Sequence, residues 1–249
     1  MGDITEEAAA GTDALQLDDT GAHDDMMQSS SLAAQYESHD ATPLYEELAI
    51  GSDVRGVQVR AIFSVGFTKV YVSSGSVVNF NGDAIVNAAN TGGVSGMGLD
   101  EAINNAGGPE LKAARKALPV LSGSRESGQR IKIGDAKTTI GGNLAARWVI
   151  HAVGPNFSVA PETPDKLLHR AYKASLEQAA SCNVSSIAFS LLSAGLFRGS
   201  RSLETLLEIA CLSVRESVYD DLREVHLVAF RDTELQALVR IAPKIFDRD

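Results

Sequence analysis

Hydrophobic positions along the chain change repeatedly between the two-residue period of β-strands and the 3.6-residue period of helices. Beyond residue 50 the pattern predicts strands over 57–64, 69–74, 84–88, 147–153, 186–193 and 224–230, with a β ribbon over 130–140. It predicts helices from 99 or 100 to 106 and over 110–118, 165–180, 203–218 and 233–241. Strands that alternate with helices are typical of an α/β fold, so we expect a central mixed, largely parallel sheet covered on both faces.

Two loops rich in small residues follow predicted strands and precede predicted helices, over 90–99 and 193–200. Ligands of such sheets bind at the carboxyl ends of the strands, and a helix N-terminus presents free N–H groups to an anion. Side by side, the two loops would form a cradle for a diphosphate. The glycines are equally compatible with simple turns, because the first loop lacks the Lys-Ser/Thr of a P-loop and the last glycine of the dinucleotide fingerprint.

The acidic residues are distributed unevenly. The first fifty residues contain 12 of the 32 Asp and Glu and no Lys or Arg, so the remaining 20 acidic residues face all 22 basic ones. The first segment also has few large apolar side chains, and it cannot bury enough surface to offset the entropy of ordering. We predict a disordered acidic tail over 1–45 and one folded domain over 46–249, with a short amphipathic helix over 43–50 as an open alternative.

Cysteine, histidine and charge usage argue against several classes of protein. The two cysteines and five histidines show no ligand spacing, so we expect no metal, no disulfide and no cofactor. Lys and Arg form no basic stripe, which argues against nucleic acid binding. No apolar run is long enough to span a membrane, and the first residues do not resemble a secretory signal. We therefore expect a monomeric, intracellular protein of the cytosol or nucleus.

Three blocks of the sequence carry a resemblance to a known family. They read "GDAIVNAANTGGVSGMGLDEAINNAGGPEL", "RWVIHAVGPNF" and "SIAFSLLSAGLFRG". Their content and order resemble the macrodomain family over about residues 57–245. The resemblance implies a three-layer α/β/α fold whose cleft binds ADP-ribose, either free or attached to proteins or to an acetyl ester.

The same resemblance implies the ligand-binding positions. They are Ser76, Val77, Asn87, Ala89, Gly96, Met97, Gly98, Leu99, Ser193, Ala194, Gly195, Leu196, Phe197 and Phe230. The two loops would hold the diphosphate, Phe197 would cover the distal ribose and Phe230 would lie along the adenine. Asn87 is expected to bond loop backbone, and Phe230 has the alternative of a core residue at a strand end.

Asn90 and Asp100 are the implied catalytic pair, because the hydrolase branch of the family has an Asn and, ten positions later, an Asp beside the distal ribose. Asn90 would hydrogen-bond the ribose, and Asp100 would orient or activate water. Asp100 has a second interpretation as a helix N-cap. The leading hypothesis is hydrolysis of mono-ADP-ribosyl esters on protein carboxylates, or of O-acetyl-ADP-ribose. The alternatives are a non-catalytic ADP-ribose reader and a nucleotide- or RNA-binding module.

Two positions depart from the family pattern. Ser76 stands where many members have an Asp that accepts the adenine amino group, and Met97 stands within a run of glycines. A neutral hydroxyl makes weaker hydrogen bonds than a carboxylate, so we expect altered or weaker adenine recognition. The Met97 side chain either narrows the ribose pocket or points into solvent. His151, on a predicted strand, is expected to be structural rather than a catalytic base.

Overall fold

The computed structural model describes residues 50–122, 128–159 and 162–247. The predicted tail over 1–45 and most of the predicted helix over 43–50 lie outside the described residues, so the domain boundary at residue 46 stays a prediction. Within the described ranges the chain forms eight strands, four helices and two short 3-10 turns.

The elements follow the predicted order. The strands are β1 (Asp53–Val54), β2 (Val57–Val65), β3 (Thr68–Ser74), β4 (Ala84–Ala88), β5 (Ala136–Ile140), β6 (Trp148–Ala152), β7 (Ser186–Ser190) and β8 (Glu224–Ala229). The helices are α1 (Leu99–Ala117), α2 (Pro164–Ser181), α3 (Leu203–Ser217) and α4 (Asp232–Phe246), and the 3-10 turns cover Val77–Asn79 and Leu196–Arg198. The sequence did not predict β1 or the 3-10 turns, because elements of two or three residues carry no periodicity.

All eight strands belong to one sheet in the order β1-β2-β3-β8-β7-β4-β6-β5. The five strands β3, β8, β7, β4 and β6 are parallel to one another. β1 with β2, β2 with β3, and β5 with β6 form antiparallel pairs at the two sides. The prediction of a mixed, largely parallel sheet is confirmed, and the parallel strands bring their carboxyl ends together.

Helices cover both faces of this sheet. The larger hydrophobic core contains residues of α2, α3 and α4, and a smaller core contains Ile103 and Leu111 of α1. Successive strand residues alternate between the two cores; in β4, Ala84 and Val86 join the first and Ile85 joins the second. The expected three-layer α/β/α arrangement is therefore confirmed.

Two predicted strands are shorter in the structure by three residues or more. In the ribbon predicted over 130–140 only β5 is extended, because Gly134 adopts φ +80° in a turn against Leu167. The strand predicted over 186–193 ends at Ser190, and Ser193 adopts φ +58°. Left-handed backbone cannot continue a strand. Both predictions were too long because the hydrophobic pattern extends past the strand, through Ile131 and Ile133 before Gly134 and through Leu191 and Leu192 after Ser190.

Gly108 divides α1 into the two helical segments that the sequence predicts. Its backbone, at φ +71° and ψ −160°, is not helical, and Pro109 follows it. Proline is favourable at the first position of a helical segment because it has no N–H to leave unpaired. A Cβ at Gly108 would lie 2.6 Å from the Asn143 amide nitrogen, so a larger residue would both strain the backbone and clash.

Asp83 joins the amino ends of β4 and β7. Its Oδ2 accepts hydrogen bonds from the backbone N–H and hydroxyl of Ser185, both at 2.8 Å, and from those of Ser186 at 2.9 and 3.0 Å. Burial alone would raise the pKa of Asp83, but these hydrogen bonds together hold it below its ordinary value. The carboxylate therefore stabilises the register of the two central strands.

Asp83→Asn should lower the free energy of unfolding near neutral pH by about 1–3 kcal/mol, because an amide is a weaker acceptor than a carboxylate. Since the native pKa is lowered, the carboxylate stabilises the fold above its unfolded pKa, and this contribution is lost as the pH falls through the native pKa. Urea unfolding from about pH 7 to about pH 3 should show the two proteins converging in acid. Asp220→Asn, at an exposed position, is the control. A gap that stays constant with pH would contradict the prediction.

Candidate functional site

A cleft of about 670 Å³ opens at the carboxyl ends of β3, β4, β7 and β8. Ser76, Asn90, Leu191 and Phe230 line it, one from the segment that follows each of these strands. Open α/β sheets bind ligands at this position. Both predicted loops therefore contribute to one concave site.

Asn90 braces the loop that follows β4. Its Nδ2 donates to the Ser95 carbonyl at 2.7 Å, and its Oδ1 accepts the Gly93 N–H at 3.2 Å. Gly98, at φ +64°, is the N-cap of α1 and has no side chain to bond the first N–H groups. Asp100 is the second residue of the helix, so its interpretation as the N-cap is wrong. The amino end of α1 reaches the cleft through Gly98.

Gly96 brings this loop onto Asp100. A Cβ at Gly96 would lie 2.5 Å from Asp100 Oδ2, so only glycine allows the approach. Asp100 lines the cleft although only 3% of its surface is exposed. Among the described residues Oδ2 has no hydrogen-bond partner. A buried carboxylate oxygen that lacks a partner is uncommon and unfavourable, so this atom is suited to bond a ligand or water.

Asn87 holds Asp100 from β4. In the part of the chain that the structure describes, its amide contacts side chains and not the loop backbone, so that detail of the prediction is wrong. Nδ2 donates to Asp100 Oδ1 and lies 3.0 Å from His151 Nδ1, and His151 Nε2 lies 2.9 Å from Thr139 Oγ1. Burial, and secondly the charge of Arg115, hold the pKa of His151 well below its ordinary value. His151 is thus neutral and structural near neutral pH.

Arg115 places a positive charge beneath the cleft. It is fully buried, its Nη2 lies 2.8 Å from Asp100 Oδ1, and its Nε donates to the Gly93 carbonyl at 2.9 Å. Burial lowers the pKa of Arg115 and Asp100 opposes that shift; a guanidinium remains protonated near neutral pH. The sequence did not identify this residue, because an Arg on an amphipathic helix is usually exposed.

The loop after β7 has an anchored base and an exposed tip. The Ser193 hydroxyl donates to the Pro155 carbonyl at 2.8 Å, and the Phe197 carbonyl accepts the Phe157 N–H at 2.8 Å. Leu196, between these anchors, is 75% exposed. The predicted diphosphate loop is therefore held by hydrogen bonds at Ser193 and Phe197 and is exposed at Leu196.

The segments after β3 and β8 carry the positions predicted to bind the base. Phe230 is 75% exposed, so its alternative as a core residue is wrong. Ser76 Oγ accepts the Val78 N–H at 3.3 Å and caps the 3-10 turn. Glu234 of α4 lines the same cleft, and its Oε2 accepts the Phe230 N–H at 3.1 Å.

Most of the predicted site residues line the cleft: Ser76, Val77, Ala89, Asn90, Gly96, Met97, Gly98, Leu99, Asp100, Ser193, Gly195, Leu196, Phe197 and Phe230. Asn87 and Ala194 are instead buried behind it. Met97 is 74% exposed, so its side chain extends into solvent at the rim. The sequence patterns do not single out the other residues of the lining, among them Gly75, Gly154, Ser190, Arg231 and Glu234.

Within residues 50–122, 128–159 and 162–247, no group of three or more His, Cys, Asp or Glu residues could hold a metal ion. The helices in these ranges include none with the length and apolar character needed to cross a membrane.

Known proteins resemble this chain in sequence. A family model described as Macro domain matches residues 86–203. A macro domain-containing protein of Cupriavidus necator is 37% identical over 65% of this chain and 90% of its own length. A protein of Escherichia fergusonii named O-acetyl-ADP-ribose deacetylase is 38% identical over 61% of this chain and 81% of its own length.

The fold also resembles solved structures. A macrodomain of Oceanobacillus iheyensis with ADP superposes with a TM-score of 0.66 at 25% identity, over 75% of this chain and 96% of that one. The identity of 37% over 90% of the C. necator protein and the superposition of the fold support one another. The chain therefore belongs to the macrodomain family.

Proposed function

We propose that this macrodomain binds ADP-ribose in the cleft and hydrolyses an ester attached to it. The substrates would be mono-ADP-ribosyl esters on protein carboxylates, or O-acetyl-ADP-ribose. The name of the E. fergusonii relative supports the second substrate, and the ADP in the O. iheyensis structure supports an adenosine diphosphate ligand.

The geometry of Asp100 is the observation that carries this proposal. Arg115 and Asn87 both contact Oδ1, so the carboxylate is held in one orientation. Oδ2 lies next to Gly96 and is unpartnered among the described residues. A side chain fixed at one oxygen and available at the other suits the task of orienting water or a ribose hydroxyl.

The proposed reactions are simple hydrolyses. In an ADP-ribosyl ester, the water oxygen bonds to the anomeric carbon, and the bond from that carbon to the protein carboxylate breaks with its electron pair leaving on the carboxylate. In O-acetyl-ADP-ribose, water adds to the acetyl carbonyl carbon, and the bond from that carbon to the ribose oxygen breaks with its electron pair on the ribose oxygen. That oxygen takes up a proton, and the products are ADP-ribose and acetate. In both reactions the proton lost by water passes to Asp100 or to solvent. The N–H groups of the two loops and of the first turn of α1 would donate hydrogen bonds to the diphosphate and stabilise its negative charge.

Asn90 has a double role in this proposal. Its amide is already bonded to Ser95 and Gly93, so it shapes the loop that carries Gly96. It also lines the cleft, and an amide oxygen can accept more than one hydrogen bond. We therefore retain Asn90 as a ribose contact that also keeps the loop in place.

Asp100→Asn should reduce the release of ADP-ribose from an ADP-ribosylated glutamate peptide by about 100-fold or more, because it removes the group that orients or deprotonates water. Asn has nearly the same size and keeps one oxygen, so calorimetry should find that ADP-ribose affinity falls much less than turnover does. The two measurements separate chemistry from binding.

Glu101→Gln is the matched control, because Glu101 is the next residue of α1 and is exposed. Its turnover should equal that of the wild type. Equal turnover by Asp100→Asn and the wild type would exclude the catalytic role of Asp100. Tight binding of ADP-ribose by a wild type without turnover would identify a reader and overturn the hydrolase proposal.

Arg115→Met should lower the free energy of unfolding by about 3–5 kcal/mol, because it leaves Asp100 as an unpaired buried charge. When it is combined with Asp100→Asn, the loss should be smaller than the sum of the two single losses. Urea unfolding of the wild type, both single variants and the double variant measures this coupling. Lys116→Met, at the adjacent exposed position, is the control. Additive losses would mean that the pair is not energetically coupled.

A further inference from the structure

We propose that Glu234 recognises the base of the bound nucleotide by accepting a hydrogen bond from the exocyclic amino group of adenine. This inference rests on the proposed function, since it requires that the cleft takes an adenosine diphosphate ligand. Glu234 would then supply the charged acceptor for adenine that the neutral Ser76 hydroxyl does not.

The backbone of the preceding turn fixes the Glu234 carboxylate. Glu234 is only 8% exposed, and its Oε2 accepts the N–H groups of Phe230 at 3.1 Å and of Arg231 at 3.0 Å. The other oxygen, Oε1, forms a long ion pair with Arg231, whose Nη1 lies 3.9 Å away and so beyond hydrogen-bond distance. Among the described residues it has no closer polar partner. One oxygen therefore holds the side chain in place and the other remains to accept a bond.

The surroundings of this carboxylate fit a flat aromatic ring. Phe230 presents an exposed ring at the same cleft, and apolar ring faces stack on one another. Ser74 and Ala229 are paired in the neighbouring strands β3 and β8, so the segments that carry Ser76 and Phe230 leave the sheet side by side. Ser76 Oγ already accepts the Val78 N–H. Among the described residues that line the cleft beside Ser76 and Phe230, Glu234 is the one carboxylate, and its Oε1 accepts no hydrogen bond.

The number of Glu234 oxygens that are free to accept a hydrogen bond affects which purine base binds best. Adenine offers one amino group next to a ring nitrogen, and a single carboxylate oxygen can accept one of its N–H bonds. Guanine pairs best with a carboxylate through two N–H groups and two oxygens, but Oε2 is already engaged by two backbone donors. Hypoxanthine has an oxygen in place of the amino group, and this oxygen would repel the carboxylate. We therefore expect adenine to be preferred when the base is held with the edge that carries its amino group toward Oε1.

The test is calorimetry of the full chain with ADP, inosine diphosphate and guanosine diphosphate. The wild type should prefer ADP to the other two by about tenfold or more, as expected for one charge-assisted hydrogen bond. Glu234→Gln keeps an oxygen for the two backbone donors and replaces Oε1 with an amide NH2 group, which donates hydrogen bonds and cannot accept one from adenine. It should lose the preference for ADP and bind inosine diphosphate more tightly than the wild type does. Asp232→Asn removes an exposed charge from the same turn of α4 and should leave the preference unchanged.

A ligand-side measurement requires no variant and remains decisive if Glu234→Gln does not fold. N6,N6-dimethyl-ADP has no amino N–H, and wild-type affinity for it should fall by about tenfold, whereas N6-methyl-ADP adds bulk but keeps one N–H and should lose less. Equal affinity of the wild type for ADP and the dimethyl analogue, or an unchanged base preference in Glu234→Gln, would overturn the role of Glu234.

The same data separate this inference from the hydrolase proposal. A wild type that binds ADP but discriminates no base overturns only the role of Glu234. A wild type that does not bind ADP overturns both. Base discrimination that depends on Glu234 in a protein without ester hydrolysis supports the inference and overturns the hydrolase proposal alone.

Discussion

The buried ion pair between Asp100 and Arg115 is the interaction on which the rest of the cleft depends. Asp100 lies in the first segment of α1 and Arg115 in the second, so the pair bridges the break at Gly108. Arg115 also holds the Gly93 carbonyl, which ties the loop after β4 to the same cation. Burying two charges is unfavourable unless each remains paired. Helix, loop and carboxylate are therefore positioned together, and a displacement of one disturbs the other two.

His151, which lies next to the Asp100–Arg115 pair, adds no further charge near neutral pH. His151 would bring a second cation close to Arg115 if it were protonated, but its pKa lies well below the ordinary value because of burial and of Arg115 itself. Asn87 then connects a neutral imidazole to a charged carboxylate through one amide. As a result the buried network holds one positive and one negative charge near neutral pH. Asn87 can therefore hold Asp100 in one orientation without a charge on His151.

The sequence predicts features that are local, and it misses those that depend on packing between distant segments. The alternation of strands and helices and the Gly-rich loop follow from short patterns, whereas the place of Phe230 beside the ligand was implied by the family resemblance. Arg115 and Glu234 read as ordinary helix positions, because nothing near them in the chain indicates that one lies beneath a loop and the other beside a cleft. The turn at Gly134 was missed for a related reason, since a glycine in an apolar run does not reveal its left-handed backbone.

The hydrogen bonds of Asp83 lie at the amino ends of β4 and β7, whereas the cleft lies at the carboxyl ends of the same strands. The groups that fix strand register and the groups that meet a ligand are thus separated along each strand. Met97 and Ser76 line the cleft and take no part in the hydrogen bonds of Asp83. This separation allows an exposed cleft position such as Met97 to change without disturbing the strand register.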